Sequence, residues 1–478
     1  MKKFWIVMLT AGLFMAFTMP AIAAVGGVDV KFNGSLRMRG WYDDNMSLLK
    51  PNDTNGITTN KNSQAFYDNR LRMGTEFKVA EGLMLVTRFD ALEKKWGQTG
   101  VSPTSGANYT GAAQLQADSV SFEHAYVDFN TSFGRFQVGH QLFSVWGPML
   151  ANNDTAAAGI RYIGAFGPAT IIAATEKRQE SRYRDTATSY TTVTSVGDRL
   201  NVDMDVYDLG AVYRFTGGEA GIMYQYFADN TYNYRSSSGG PFKRTINIID
   251  PYVKFKSGPV YLEFEALYGF GKWVDYDRAS VPTTANVDLS TYGAYLNAEM
   301  EFKPFYAGIK FAYVAGDDPA TADKKEGSIL TDLSLGSLHN FALMYGNYEF
   351  FNQVTTTTTG WAPKSTTGGT NNGARTNVTY GIDNAIAYQG YVGMKPTPKL
   401  DVLLAYSYIN AQQKPNTIWV SDNIGQELDL TATYKIFDNL SYTIGAGYFF
   451  TGDYFKGTSA TAVVDNDYLL MHQLLLTF

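Results

Sequence analysis

The only imidazoles in the chain, His124, His140, His339 and His472, fall on widely separated segments, and none sits in a His-Glu-x-x-His or similar ligand spacing. There is no cysteine, which excludes thiolate metal sites, iron–sulfur clusters, covalent haem attachment and disulfides. A hydrolytic Ser–His pair would have to be assembled from distant segments, and no spacing points to one. Asp317 and Asp318, with Asp323 following, are hard oxygen donors that could hold Ca²⁺, but they lack the EF-hand spacing. Solvated loop acids beside a turn at Pro319 are the simpler account of them. No catalytic residue and no cofactor is expected, and the chain is expected not to be an enzyme. What remains is charge in rows: Arg37, Arg39, Arg70, Arg72, Lys78 and Arg88 near one end, and Glu263, Glu265, Glu299, Glu301, Asp401, Glu427 and Asp429 further on.

The segments carrying these rows alternate with period two. In VDVKFNGSLRMRGWYD, Val28, Val30, Phe32, Gly34, Leu36, Met38 and Tyr42 share one face, and Asp29, Lys31, Asn33, Ser35, Arg37 and Arg39 share the other. That is a β-strand, and it runs well past the roughly five or six residues of an ordinary soluble strand. YLEFEALYGFGKW, YGAYLNAEMEF and QELDLTATYK repeat the pattern, each with its acids on one face. Aromatics make up 15% of the residues. No run of about twenty apolar residues follows the N-terminal segment, which excludes spanning helices but not spanning strands, where only alternate residues need be apolar.

Turn signals divide the strands unequally. Eight short turns (KVAEGLM, NTSFGRF, AFGPAT, FTGGEAG, FKSGPVY, EFKPFYA, KPTPKLD and KIFDNLS) alternate with nine long polar connections, at about 44–64, 97–117, 147–157, 178–202, 230–244, 274–289, 316–383, 411–422 and 453–466. Short turns on one side and long loops on the other are the arrangement of outer-membrane barrels. Eight turns and nine loops join 18 strands, all-β and antiparallel in up-and-down order; 16 or 20 are the alternatives, because the stretch at 338–350 could itself be a strand. Connection 316–383 is too long for a plain link and is expected to fold over or into the pore. Trp41, Trp96, Trp146 and Trp273 each end a strand just before a long loop, which predicts an outer-leaflet girdle of amphipathic rings. Trp361 and Trp419 lie in or beside loops.

At the N-terminus, MKKFWIVMLTAGLFMAFTMPAIAA has the charged, apolar, small-x-small order of a secretory signal peptide. Cleavage is expected after Ala23, leaving 24–478 as the barrel. At the other end, Leu470, Leu474, Leu476 and Phe478 share an apolar face, and a closed barrel needs that last strand to pair with the first. The expected location is the outer membrane of a Gram-negative cell, as a multi-pass protein in contact with outer-membrane lipid and lipopolysaccharide. Nucleic acid is not an expected partner.

Two segments resemble the alginate-export-like family of 18-stranded outer-membrane porins. VSFEHAYVDFNTSFGRFQVGHQLFSVWG (120–147) is similar to its strand–turn–strand, with Gly139-His140-Gln141 where the family has Gly-Arg-Gln. NIGQELDLTATYKIFDNLSYTIGAGYFFTGDYF (423–455) and YVAGDD (313–318) are similar to its penultimate hairpin and to a strand end. The final strand, ending at Phe478, resembles the signal that the barrel assembly machinery reads. The resemblance implies a monomeric 18-stranded barrel and leaves the solute open; an alginate channel is expected to be strongly basic inside, whereas acids and bases here are about equal.

By alternation the basic and acidic rows face the lumen from opposite walls. Two accounts of them stand. A transverse field would orient polar or zwitterionic solutes, or the charges pair in ladders that keep the lumen wet. The expected function is passive diffusion of small hydrophilic solutes, with Arg37, Arg39, Arg70, Arg72 and Arg88 attracting anions, and Glu263, Glu265, Glu299, Glu301, Glu427 and Asp429 also lining the pore. A polysaccharide-export channel and the barrel sheath of a cytochrome electron conduit are the alternatives.

Overall fold

The computed structural model describes residues 28–45, 48, 50, 63–96, 100–101, 108–109, 120–143, 145–152, 156–180, 203–231, 242–276, 285–327 and 384–478. The signal segment, the stretch at 338–350, most of the seventh long connection, His339 and Trp361 lie outside them.

Eighteen strands form the wall: β1 (Asp29–Asp43), β2 (Gln64–Ala80), β3 (Leu83–Lys95), β4 (Ser121–Thr131), β5 (Gly134–Leu142), β6 (Ala156–Phe166), β7 (Ala169–Gln179), β8 (Met204–Phe215), β9 (Gly218–Asp229), β10 (Phe242–Ser257), β11 (Val260–Tyr276), β12 (Val287–Phe302), β13 (Phe305–Val314), β14 (Ala385–Thr397), β15 (Leu400–Asn410), β16 (Asn423–Phe437), β17 (Leu440–Thr451) and β18 (Asp467–Thr477). Each pairs antiparallel with its neighbours in chain order, and β18 pairs with β1 through Arg37↔Leu475 and Trp41↔Met471. The sheet is therefore a closed ring with no free edge, so every wall strand has hydrogen-bonding partners on both sides. The eight short connections are all two-residue turns, as predicted. Among the described residues there is no α-helix, only a 3₁₀ turn at Asp453–Lys456.

Burial is inverted relative to a water-soluble protein. Phe32, Leu209, Ile222, Ile309, Ile444 and Leu470 stand exposed on the outer face, while Arg39, Asp68, Glu176, Gln225, Lys310 and Glu427 are buried inside. Period two produces this directly, since successive side chains alternate across the sheet. Phe478 extends the last ladder: its N–H donates to the Gly34 carbonyl (3.1 Å) and its carbonyl accepts from the Gly34 N–H (2.8 Å). Its ring lies over Gly34, where a Cβ would come within 2.7 Å of Phe478 Cζ.

Three of the four girdle tryptophans depart from expectation. Trp96 is exposed and stacks on the outward Tyr67 at 4.9 Å. Trp41 is only 5% exposed and donates to Asp68 Oδ2 at 2.7 Å. Trp146 is buried inside the barrel, and Trp273 packs against the same internal apolar cluster, with the Arg244 guanidinium 3.9 Å from its ring. The reason is parity for Trp41, which shares a face with Arg37 and Arg39, and loop insertion for Trp146.

Candidate pore and constriction

The five predicted arginines are brought together on the inner face of β1–β3. Four carboxylates are threaded between them. Arg39 Nε donates to both Asp68 oxygens (3.0 and 3.2 Å), and Arg72 grips Asp90 through Nε (2.7 Å) and Nη2 (2.6 Å). Arg88 Nη2 donates to Glu123 Oε2 at 3.2 Å. Arg37 and Arg70 sit directly across the ladder from one another, a repulsive pairing. Glu93 relieves it, at 3.8 Å from Arg37 and 3.7 Å from Arg70. This arc is a mixed-charge ladder rather than a uniformly basic wall. Lys78 sits at the short-turn rim, paired with Glu81 at 2.7 Å.

Glu93 and Glu123 point inward because the strands are irregular there. Leu92 has φ +57, and the β2/β3 register shifts between Asn69 and Leu71. A second shift between Arg88 and Phe89 breaks the β3/β4 ladder. Each bulge adds a residue and flips the parity that simple alternation assumes. Asp68 and Asp90 needed no such correction, since they share the parity of Arg70, Arg72 and Arg88.

The acidic residues of β11 and β12 are not one uniform wall either. Glu263 accepts from the Tyr261 hydroxyl (2.5 Å) and Asn297 Nδ2 (3.3 Å). Glu299 accepts from the Tyr391 hydroxyl at 2.9 Å, and the buried Lys310 stands 5.6 Å from the Tyr391 ring. Asp401 accepts from the Tyr306 hydroxyl at 2.8 Å. Glu301 lies at the short-turn rim, 3.4 Å from Lys256. Glu427 and Asp429 are buried on the inner face of β16.

Glu265 has another task. In the connection between β5 and β6, residues 145–152 fold into the lumen rather than away from it. Glu265 Oε2 accepts the N–H groups of Met149 (2.5 Å) and Leu150 (2.8 Å), and Oε1 accepts that of Ala151 (3.0 Å). Met149 and Leu150 are almost completely buried. Trp146 Nε1 donates to the Asp250 carbonyl (3.0 Å), and its ring meets Tyr252 edge-on at 5.3 Å. The indole fits above Gly210 and Gly221, where a Cβ on either would come within 3.0 Å of it. Gly147 has φ +67, and a Cβ there would strike the Glu265 carboxylate, so only glycine suits the position. At the loop's root, Arg161 Nη2 donates to the carbonyls of Leu142 (2.6 Å) and Phe143 (3.2 Å). The loop thus reaches from β5 across to β8–β12 and narrows the bore. The seventh connection was the one expected to do so; its described part, up to Gly327, returns beside β12 through Lys324 and Lys325, and its remainder lies outside the described residues.

Asp317 and Asp318 each serve their own turn. Asp317 accepts from the N–H groups of Glu326 (2.9 Å) and Gly327 (3.2 Å) and pairs with Lys325 (3.1 Å), while Asp318 accepts from Ala320 N–H (2.9 Å). Among the described residues no three ligating side chains converge as a metal site. His472 faces outward between Tyr67 and Tyr442.

A closed 18-stranded antiparallel barrel with an apolar exterior, a charged interior and an inserted third loop defines a porin-like outer-membrane architecture. No family model matches the chain, and no curated protein matches it. Among solved structures it is similar to three Pseudomonas aeruginosa proteins. OccK2 (OpdF), solved in complex with glucuronate, shares 12% identity over 96% of this chain and 99% of its own, with a TM-score of 0.50. OccK9 (OpdG) shares 12% over 94% and 99%, also at 0.50. OccK1 (OpdK) shares 11% over 94% and 99%, again at 0.50. The likeness is one of fold, and the 18-stranded barrel that the sequence resemblance implied is present.

Proposed function

We propose that this chain is an outer-membrane porin through which small hydrophilic solutes, anions or zwitterions, diffuse passively. The observation that carries the reading is the inverted burial: hydrocarbon-compatible side chains outside, and an interior of ionised and hydroxyl-bearing groups that keeps a bore of this strand number wet. The inserted loop sets the narrowest level. A solute passing it slides between the arginine–carboxylate ladder of β1–β4 and the tyrosine–acid face of β11–β15. Arg37, Arg39, Arg70, Arg72 and Arg88 supply sites for carboxylates, and Glu263, Glu299 and Glu301 oppose unpaired anions. One structural neighbour was solved with glucuronate, a hydroxyl-rich carboxylate, and such a solute suits a lumen with both kinds of wall. No turnover step is involved. Signal-peptide removal after Ala23, insertion by the barrel assembly machinery through the strand ending at Phe478, and contact with lipopolysaccharide belong to the same reading.

Polymer export and a sheath around a cytochrome both call for an unobstructed bore, and the latched loop disfavours them. The test is planar-bilayer conductance with reversal potentials on the refolded barrel, alongside liposome swelling in small sugar acids. Discrete ohmic channels and swelling are expected. A barrel that inserts but carries no current overturns the proposal.

A further inference from the structure

Asp43 ends β1 and Asp467 begins β18, both on the interior face at the long-loop end of the seam. Asp43 is 1% exposed, Asp467 2% and the intervening Asn45 0%. Asp467 Oδ1 accepts the Asn45 N–H at 2.7 Å. Both oxygens of Asp43 are buried without a well-aligned hydrogen-bond donor; the groups nearest them are the Asp467 carboxyl, in direct contact, and the Asn45 main chain, whose N–H is taken by Asp467. The arginine of the same inner row, Arg39, is already held by Asp68.

The two chain ends are tied together around the pair. Asp44 N–H donates to the Tyr468 carbonyl (3.1 Å), Lys50 N–H to Val463 (2.9 Å), Asp465 N–H to Leu48 (2.9 Å), and Asn45 Nδ2 to Asn466 (3.4 Å). Leu48 and Leu469, both almost fully buried, seal the sides. Two buried carboxylates in contact, one of them without a well-aligned donor, are strongly unfavourable unless something positive sits between them. The side-chain groups facing one another are both carboxylates, Asp43 and Asp467. That is a hard set suited to calcium and ill suited to zinc or copper. With only two side-chain carboxylates, main-chain oxygens and water would complete the shell.

We infer that Asp43 and Asp467 form a calcium-class divalent-cation site that clasps the first and last strands together at the long-loop end of the barrel. The site is independent of what the pore conducts.

The test uses the full barrel, refolded in detergent without lipopolysaccharide and stripped with chelator. Terbium is added, and its luminescence is excited through the neighbouring Trp41, Tyr42 and Tyr468. Wild type is expected to give saturable emission from a single ion that calcium displaces, and calcium should raise its unfolding temperature. Asp43→Asn should abolish both responses. Asp467→Asn, which keeps an acceptor for the Asn45 N–H and so protects folding, should weaken terbium binding by about tenfold or more, as expected when ligand charge is removed. Asp318→Asn, at an exposed turn, should leave both responses intact. No saturable emission in wild type, or emission undiminished from wild type in the Asp43 and Asp467 variants, overturns the inference and assigns the pair a shared proton.

Discussion

The arginine arc of β1–β4 and the loop-bearing arc of β8–β12 both place charge inside the barrel, and they resolve it differently. In the first, charge answers charge: Asp68, Asp90, Glu93 and Glu123 interleave with five arginines. In the second, a carboxylate answers backbone: Glu265 collects three consecutive N–H groups of an inserted loop. The part-exposed pairs Arg37–Glu93 and Arg88–Glu123 are screened and can be lost with little structural cost, whereas Arg39–Asp68 is buried and cannot. A buried carboxylate holding main-chain donors has no such latitude, because its removal strands those donors. On the proposed function the first arc would tune selectivity and the second would set the bore.

Substituting Glu265→Ala should break the contrast most. Each hydrogen bond to an ionised acceptor is worth about 1.5–3 kcal/mol, so the loop should leave the β11 wall. Single-channel conductance is expected to rise severalfold, and a cysteine placed at Met149 should become reactive from solution. Unchanged conductance would remove the loop's role as constriction. Next in size, the double substitution Arg37→Gln and Arg70→Gln should lower anion permeability while leaving conductance close to wild type, and Glu93→Gln should shift the reversal potential the opposite way. Unaltered ion selectivity in both would reduce the ladder to a wetting device. Gly147→Ala should reproduce a weaker form of the Glu265 effect, since a side chain at left-handed φ costs about 1–2 kcal/mol; the readout is broadened, noisier open-state current. Smallest is the pair of ring replacements. Trp41→Phe removes a hydrogen bond to a buried carboxylate and should lower thermal stability more than Trp96→Phe, whose exposed position predicts a change of about 0.5 kcal/mol or less.

Strand number, strand order and interior parity were legible in the chain because a membrane barrel repeats one rule eighteen times. Where the rule holds, as from Val28 to Tyr42, face assignments follow residue by residue. It fails at bulges. Leu92 adopts φ +57 with nothing in its side chain to announce it, and strict alternation from Arg88 and Asp90 would turn Glu93 outward, where the structure turns it in. Trp41 shows the opposite fault: its parity with Arg39 already placed it inside, and its position before a loop suggested otherwise. The inserted loop had a faint signal in VWGPML, an apolar run where a solvated connection should be polar. Its acceptor lies more than a hundred residues away in sequence, at Glu265, and period-two patterning within a strand carries no information across that distance.

The pairing of β18 with β1 joins positions more than four hundred residues apart, as the contact between Asn45 and Asp467 shows. Loop closure of that length carries the largest chain-entropy cost of any strand pairing in the wall, which favours late formation of this junction. Until it forms, two long strand edges remain unsatisfied within a lipid environment that offers them no water. The wall is thus a ring that cannot be half-built in the bilayer, and whatever inserts it has to cover both margins at once and release them together.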